Sequence, residues 1–266
     1  MQEMYGNKNN NIIEMATVKI TLPSTYTQEI WERCKVEEHK KFIGKQYVSW
    51  SQVESYNDDK GFNTGFEGDL EYILKYFSRI EFPDVGWGDF GDDVEAYVTE
   101  KKSAENFSVE EKKTLDRIKP LGVFQKEICL YIEELDVVIL GYIDDMTPPS
   151  EEKLVKLVRD YKTKSKSSKK DLHLDKKHQL EIYTMYLLQQ GYNVEQAEYC
   201  IIERLGGAEC MRGGGRQSLK VGKEIWYETY ERATDPKRLV QTKKLLISTV
   251  KSISELYKTY NKYFAA

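Results

Sequence analysis

The sequence predicts a mixed α/β fold with a strand-rich centre and helical segments on either side, and three observations carry that reading. Apolar residues alternate at Ile128, Leu130 and Ile132 and run on in Val137 to Leu140, the pattern of a strand pair. A helix from Lys176 to Gln190, stopped at Gly191, interrupts the strands. Asp235-Pro236 then opens a long helix as cap and first residue, with an apolar stripe at Leu239, Leu246, Val250, Ile253, Tyr257, Tyr260 and Phe264.

Taken in order, residues 1–15 with their asparagines read as a frayed tail ahead of a single domain, 16–266. Its helical part, 26–120, starts with one amphipathic helix over 26–43 and a second, capped around Ser49-Trp50-Ser51, to about Asp58. A loop at Gly61 to Gly68 follows. Leu70, Ile73, Leu74 and Phe77 return at helical spacing, and Pro83 to Asp89 make another loop. Val94, Tyr97 and Val98 mark the next helix, and Ser108 with Glu111 forms a capping box for one that ends near Pro120.

The core, 121–231, opens with two strands turning at Glu133-Glu134. A third runs from Lys153 to Lys162 after the breaker Thr147-Pro148-Pro149-Ser150. A lysine-rich loop to Lys170 leads to the inserted helix. Strands at Tyr199 to Arg204 and Glu224 to Tyr230 flank Gly213-Gly214-Gly215, and the C-terminal helix takes 235–264.

Composition narrows the function. The 266 residues carry 40 Lys+Arg against 44 Asp+Glu, a net charge of −4. With 40% hydrophobic and 32% charged residues the chain is ordinary for a globular protein and wrong for a disordered one. Mild acidity argues against a surface coated for non-specific nucleic-acid binding. No apolar run approaches the roughly 18–20 residues of a membrane span, and the N-terminus lacks a signal-type apolar region. Cys34, Cys129, Cys200 and Cys210 form no C-x-x-C and suit a reduced, cytoplasmic chain. With only three histidines, a metal is expected to be held mainly by carboxylates, as Mg²⁺ and Mn²⁺ are.

The informative stretch is Gly141 to Tyr183. One strand ends in Asp144 and the next carries Asp160 and Lys162, two apart and therefore on one face. Neighbouring antiparallel strands that both finish in carboxylates bring them within one metal's reach, with an amine beside it. That set suits metal-assisted phosphodiester hydrolysis. Asp145 stands as an alternative to Asp144. Singly, each residue also reads as an ordinary turn cap or surface pair.

The chain resembles the PD-(D/E)XK nuclease superfamily, and within it the RecB-like exonuclease branch. The resemblance rests on Gly141-Tyr142-Ile143-Asp144, then Asp160-Tyr161-Lys162-Thr163, then Gln179 and Tyr183 as Q-x-x-x-Y, three linked motifs in order. It implies a restriction-endonuclease-like core, a mixed sheet flanked by helices, with helical additions at both ends. It also implies Mg²⁺ or Mn²⁺ bound by Asp144, Asp160, the Tyr161 carbonyl and an upstream acidic residue. Lys162 would act on the nucleophilic water, and Gln179 and Tyr183 would position substrate or the lysine.

The family's G-x-x-V-H pattern is matched by Gly91 to Glu95 with Glu95 in place of His, and Asp92 or Asp93 are alternatives. Glu127 falls where relatives often carry a structural or site glutamate. Some relatives hold an iron–sulphur cluster on one early and three late cysteines; only Cys34, Cys200 and Cys210 match, so none is expected here. The expected partner is DNA, alongside replication or recombination proteins. Lys164, Lys166, Lys169, Lys170, Arg212 and Arg216 are weaker nucleic-acid contacts. No G-x-x-x-x-G-K-[ST] occurs, so no ATP site is expected. The lysine- and asparagine-rich composition suits a phage or mobile-element enzyme. Two rival readings remain: a nuclease-fold protein that binds nucleic acid or assembles without cutting, and a partner-binding module without DNA affinity.

Overall fold

The computed structural model describes residues 20–57, 69, 72–80, 86–165 and 178–264. The expected tail, the loop at 61–68, Leu70, Pro83, and the lysines at 166, 169 and 170 lie outside the described residues. Among the described residues, seven strands form one mixed sheet: β1 (Ser24–Thr25), β2 (Gln46–Ser49), β3 (Val123–Ile132), β4 (Val137–Met146), β5 (Leu154–Lys164), β6 (Asn193–Leu205) and β7 (Lys220–Thr229). The path is β1-β2-β4-β5-β6-β7, with β3 paired to the other edge of β4. The β3–β4, β4–β5 and β6–β7 pairs are antiparallel, whereas β2–β4 and β5–β6 are parallel. This is the mixed α/β architecture expected, a sheet with helices on both faces, consistent with a restriction-endonuclease-like core.

Strand β6 explains how both faces are covered. Tyr199 and Ile201 enter one core with Val155, Val158, Leu180, Tyr183, Leu246 and Val250. Cys200 and Ile202 enter another, with Phe90, Val94, Val98, Leu115 and Val221. Successive residues point to opposite faces and both faces are buried, so the strand reads as an unbroken apolar run. The first core lies under helices α2 (Trp50–Asn57), α5 (Gln179–Gln189) and α6 (Pro236–Tyr263). The second lies under α3 (Trp87–Glu100) and α4 (Val109–Leu115).

Local chemistry accounts for most boundaries. Ser108 accepts from the Glu111 N–H while the Glu111 side chain accepts from the Ser108 N–H, the capping box expected for α4. The Asp235 side chain accepts from the Lys237 N–H, with Pro236 as the first residue of α6. Gly206 must be glycine: its φ is 83°, and a Cβ there would run into the Ser218 carbonyl.

Three expectations are corrected. The helix predicted over 26–43 is two pieces, α1 (Gln28–Cys34) and a 3₁₀ helix at Glu37–Phe42, because Lys35 turns left-handed at φ 54°. The strands predicted at Tyr199 to Arg204 and Glu224 to Tyr230 are longer, and a short helical turn at Gly207–Glu209 begins their connection. The α6 stripe holds through Ile253 and continues as Tyr257 and Tyr260 against Phe77, at 4.9 and 5.6 Å between ring centres. Phe264 falls beyond the helix and is exposed. Among the described residues no helix is long and apolar enough to cross a membrane.

Candidate active site

The ladder between β4 and β5 has two residue pairs, Asp145 with Arg159 and Met146 with Val158. Beyond them the strands part, and a side chain takes over from the backbone: Asp144 Oδ2 accepts the Tyr161 N–H at 2.9 Å. The cleft so opened holds Asp144 from β4, Asp160 and Lys162 from β5, and Gln179 and Tyr183 from α5. Lys162 Nζ lies 2.6 Å from Asp160 Oδ2 and donates to Gln179 Oε1 at 2.9 Å. Gln179 Nε2 donates to the Tyr183 hydroxyl at 2.6 Å. That hydroxyl stands 3.3 Å from Asp144 Oδ1 and 3.3 Å from Asp160 Oδ1, so a single proton donor spans both carboxylates. Gln179 and Tyr183 reach the site together because four residues make about one helical turn.

Glu95 approaches from α3. Its carboxylate accepts from the Gln125 side chain. The β3–β4 register places Gln125 opposite Asp144, and Gln125 holds a left-handed φ of 45°, a strained backbone at the mouth of the site. Burial, joined by the charges of Asp160 and Asp92, lifts the Glu95 carboxyl to about 7 against the pull of Gln125 and Lys162. Burial also raises Asp144 well above the usual carboxylate range, reinforced by Asp160 and Glu95. Burial pulls Lys162 down, but Asp160 and Asp144 more than offset it, and the ammonium is held more firmly than usual. Glu54 on α2 adds to that negative field.

The open alternatives separate cleanly. Asp145 points away from the cleft, accepting from the Leu121 N–H at 2.9 Å and from the Tyr161 hydroxyl at 2.8 Å. Asp93 is ion-paired with Arg216 at 2.7 Å, and the Arg216 guanidinium also covers the Phe90 ring at 4.7 Å. Asp92 acts on Glu95 through its charge. Arg212 is exposed in the glycine-rich turn, and Lys164 ends β5.

Glu127 is not in this cleft. It belongs to a second buried polar cluster, in which His39, Glu127 and Cys129 bring ligand atoms within 4.8 Å of one another, a set able to hold a metal. Sequence reasoning missed Gln125, Glu54 and this cluster. Gln125 and Glu54 belong to no motif, and His39 is 88 residues from Glu127.

The residues of the first cleft fit a divalent cation. Asp160 Oδ2 is buried against the Lys162 ammonium, and the charges of Glu95, Asp144 and Asp160 act on one another, with two of the three carboxyls pushed toward neutrality. A hard cation with oxygen ligands relieves that repulsion.

No protein-family profile matches the chain, and no curated protein sequence does. Among solved structures, the chain is similar to a presumed exonuclease of Eubacterium rectale, with a TM-score of 0.51 and 13% identity over 89% of this chain and 88% of that one. A weaker likeness is to Rai1 of Scheffersomyces stipitis, TM-score 0.35, 11% identity, over 90% of this chain and 68% of that one. The first of these likenesses is one of fold, shared by a protein of nuclease type.

Proposed function

We propose that the chain is a metal-dependent nuclease of the PD-(D/E)XK, RecB-like kind, hydrolysing DNA phosphodiester bonds as an exonuclease in replication, recombination or DNA processing. The observation that carries this reading is the direct contact among Asp144, Asp160, Lys162, Gln179 and Tyr183, five residues from three motifs joined in one hydrogen-bonded cleft. Glu95, Asp144, Asp160 and the Tyr161 carbonyl would hold Mg²⁺ or Mn²⁺. Once bound, such an ion supplies Lewis-acid stabilisation of the charge that builds on phosphate oxygens.

The chain's own groups do the rest. Lys162, kept cationic by its carboxylate neighbours, donates protons in hydrogen bonds and opposes negative charge on the attacked phosphate; it is a poor base. Gln179 fixes the position of its ammonium. Tyr183 keeps the two aspartates at a fixed separation. The half-exposed Trp87, one turn before Gly91 on the helix of Glu95, offers a base-stacking face backed by the Arg204 guanidinium at 4.6 Å.

The test is a digest of linear duplex and supercoiled plasmid with Mg²⁺, with Mn²⁺ and with EDTA, using wild type, Asp160→Ala and Lys162→Ala. Loss of linear duplex alone, dependent on metal and on both residues, is expected. Hydrolysis surviving EDTA or both substitutions overturns the mechanism. DNA binding without hydrolysis in any metal selects the non-cutting nucleic-acid-binding reading, which the Lys162–Asp160 ion pair at a metal-binding carboxylate favours.

A further inference from the structure

Beneath the 3₁₀ helix of residues 37–42 lies the second polar cluster, and the cleft chemistry makes no use of it. His39 and Cys129 are fully buried and Glu127 is 2% exposed. His39 Nδ1 stands 2.9 Å from Glu127 Oε1, and Cys129 Sγ stands 4.0 Å from the same oxygen. The pKa of the exposed Cys34 thiol, at the end of α1, is raised by partial burial and by the charge of the same carboxylate. We propose that His39, Glu127 and Cys129, whose ligand atoms lie within 4.8 Å of one another, recruit the nearby Cys34 thiol as fourth ligand to form a structural zinc site, separate from the cleft of Asp144 and Asp160.

Four arguments support it. The donor set is two sulphurs, one imidazole and one carboxylate, which suits Zn²⁺ and not Mg²⁺. Zinc bonds to these donors imply ligand-to-ligand separations of roughly 3.3–3.8 Å around a tetrahedron, and the 2.9 and 4.0 Å contacts bracket that range. Glu127 Oε2 is a buried carboxylate oxygen with no hydrogen bond, while the contacts of Tyr26, His39 and Cys129 all go to Oε1, so the carboxylate keeps an unpaired oxygen for a metal. The outer contacts are those of a ligand sphere. His39 Nε2 pairs with the Tyr186 hydroxyl at 2.8 Å, leaving Nδ1 for the metal, and the Tyr26 hydroxyl donates to Glu127 at 3.0 Å.

Zinc binding would displace the thiol protons of Cys34 and Cys129 to solvent, giving two thiolates, one carboxylate and a neutral imidazole on the ion. With all four positions filled by protein there is no open position for substrate, so the site is a staple. It ties the turn between α1 and the 3₁₀ helix to β3, and through Tyr186 to α5, the helix that carries Gln179 and Tyr183. Cys34 gives the ion its access route from solvent.

The full chain, purified without chelators, is assayed for metal content and then titrated with Zn²⁺ against a chromophoric chelator. Co²⁺ substitution supplies the decisive spectrum, because thiolate-to-cobalt charge transfer is silent for a site made of carboxylates. An equimolar zinc content, a thiolate–cobalt band, and zinc affinity lowered at least about tenfold in Cys34→Ser and in Cys129→Ser are expected. Wild type that takes up no zinc, or shows no thiolate–cobalt band, overturns the site, and this measurement does not depend on any variant folding. Equal zinc affinity in Cys34→Ser overturns the four-ligand set. Asp160→Ala should keep its zinc whether or not the protein cuts DNA.

Discussion

Replacing Glu95 by glutamine should abolish function and stabilise the metal-free fold. Burial, with the charges of Asp160 and Asp92, pushes the Glu95 carboxyl up from 4.5 to about 7. For an acid whose folded pKa is raised, stability is fully present below the unfolded value and is lost as pH rises through the folded one. The metal-free protein should therefore weaken between pH 4.5 and about 7. The full displacement is worth about 3 kcal/mol at pH 8, an upper bound because Asp144 shares the same repulsion. Glu95→Gln keeps the shape and removes the charge. In EDTA at pH 8 its melting temperature should exceed wild type by roughly 5–10 °C, with little difference at pH 4.5. Adding Mn²⁺ should raise the wild-type melting temperature and raise that of the variant much less, since the ion binds the native state through this carboxylate. Hydrolysis should fall about a hundredfold or more. A variant that melts lower than wild type at pH 8 in EDTA would refute the electrostatic account of the cleft. So would a wild-type melting temperature that is flat from pH 5 to pH 8.

Four further substitutions probe the supports of the site and of the fold around it. Tyr183→Phe removes the hydroxyl shared by Asp144, Asp160 and Gln179; denaturant titration in EDTA should show a loss of about 1–3 kcal/mol, and an unchanged midpoint would mean the hydroxyl does not bridge them. Glu111 is buried in part, yet hydrogen bonds from Ser108 and from the Val221 N–H hold its carboxyl below the usual range. Its contribution is therefore present above pH 4.5 and lost as pH falls, so Glu111→Gln should destabilise at pH 7 and match wild type near pH 3. Ser108→Ala should cost about 1 kcal/mol by chemical denaturation. Gly222→Ala would drive a Cβ into the Glu203 carboxylate, which accepts the Lys223 and Glu224 N–H groups at 2.9 and 3.1 Å. A loss of about 1–3 kcal/mol is expected, and a neutral effect would mean that β6 and β7 can separate there at little cost.

How much of this was legible in the sequence follows from the range over which each signal acts. The capping box at Ser108, the Asp235-Pro236 start and the alternation of β3 depend on residues a few positions apart, and all stand where the pattern puts them. The pairing of Asp160 with Lys162, and of Gln179 with Tyr183, is also local, since strand and helix periods alone set each pair on one face. What no local pattern contains is the parting of β4 and β5 at Asp144. That depends on a carboxylate displacing a backbone acceptor for the Tyr161 N–H. The same step decides between Asp144 and Asp145, two adjacent aspartates that the sequence cannot rank: the pleat sends one to the cleft and the other to Leu121. The 26–43 segment failed as one helix for a related reason. Its apolar residues fit a helical period, but Phe42 belongs to a core with Tyr26, Cys129 and Val138, and His39 is drawn in to Glu127. Reaching both requires the chain to turn at Lys35, which it does by adopting a left-handed backbone at a lysine. A non-glycine residue pays for that conformation with about 1–2 kcal/mol, and what the turn secures is the burial of His39 beside Glu127 and Cys129. His39, which periodicity misplaced, is thus set by a long-range polar contact to Glu127, and it is a ligand of the proposed zinc site.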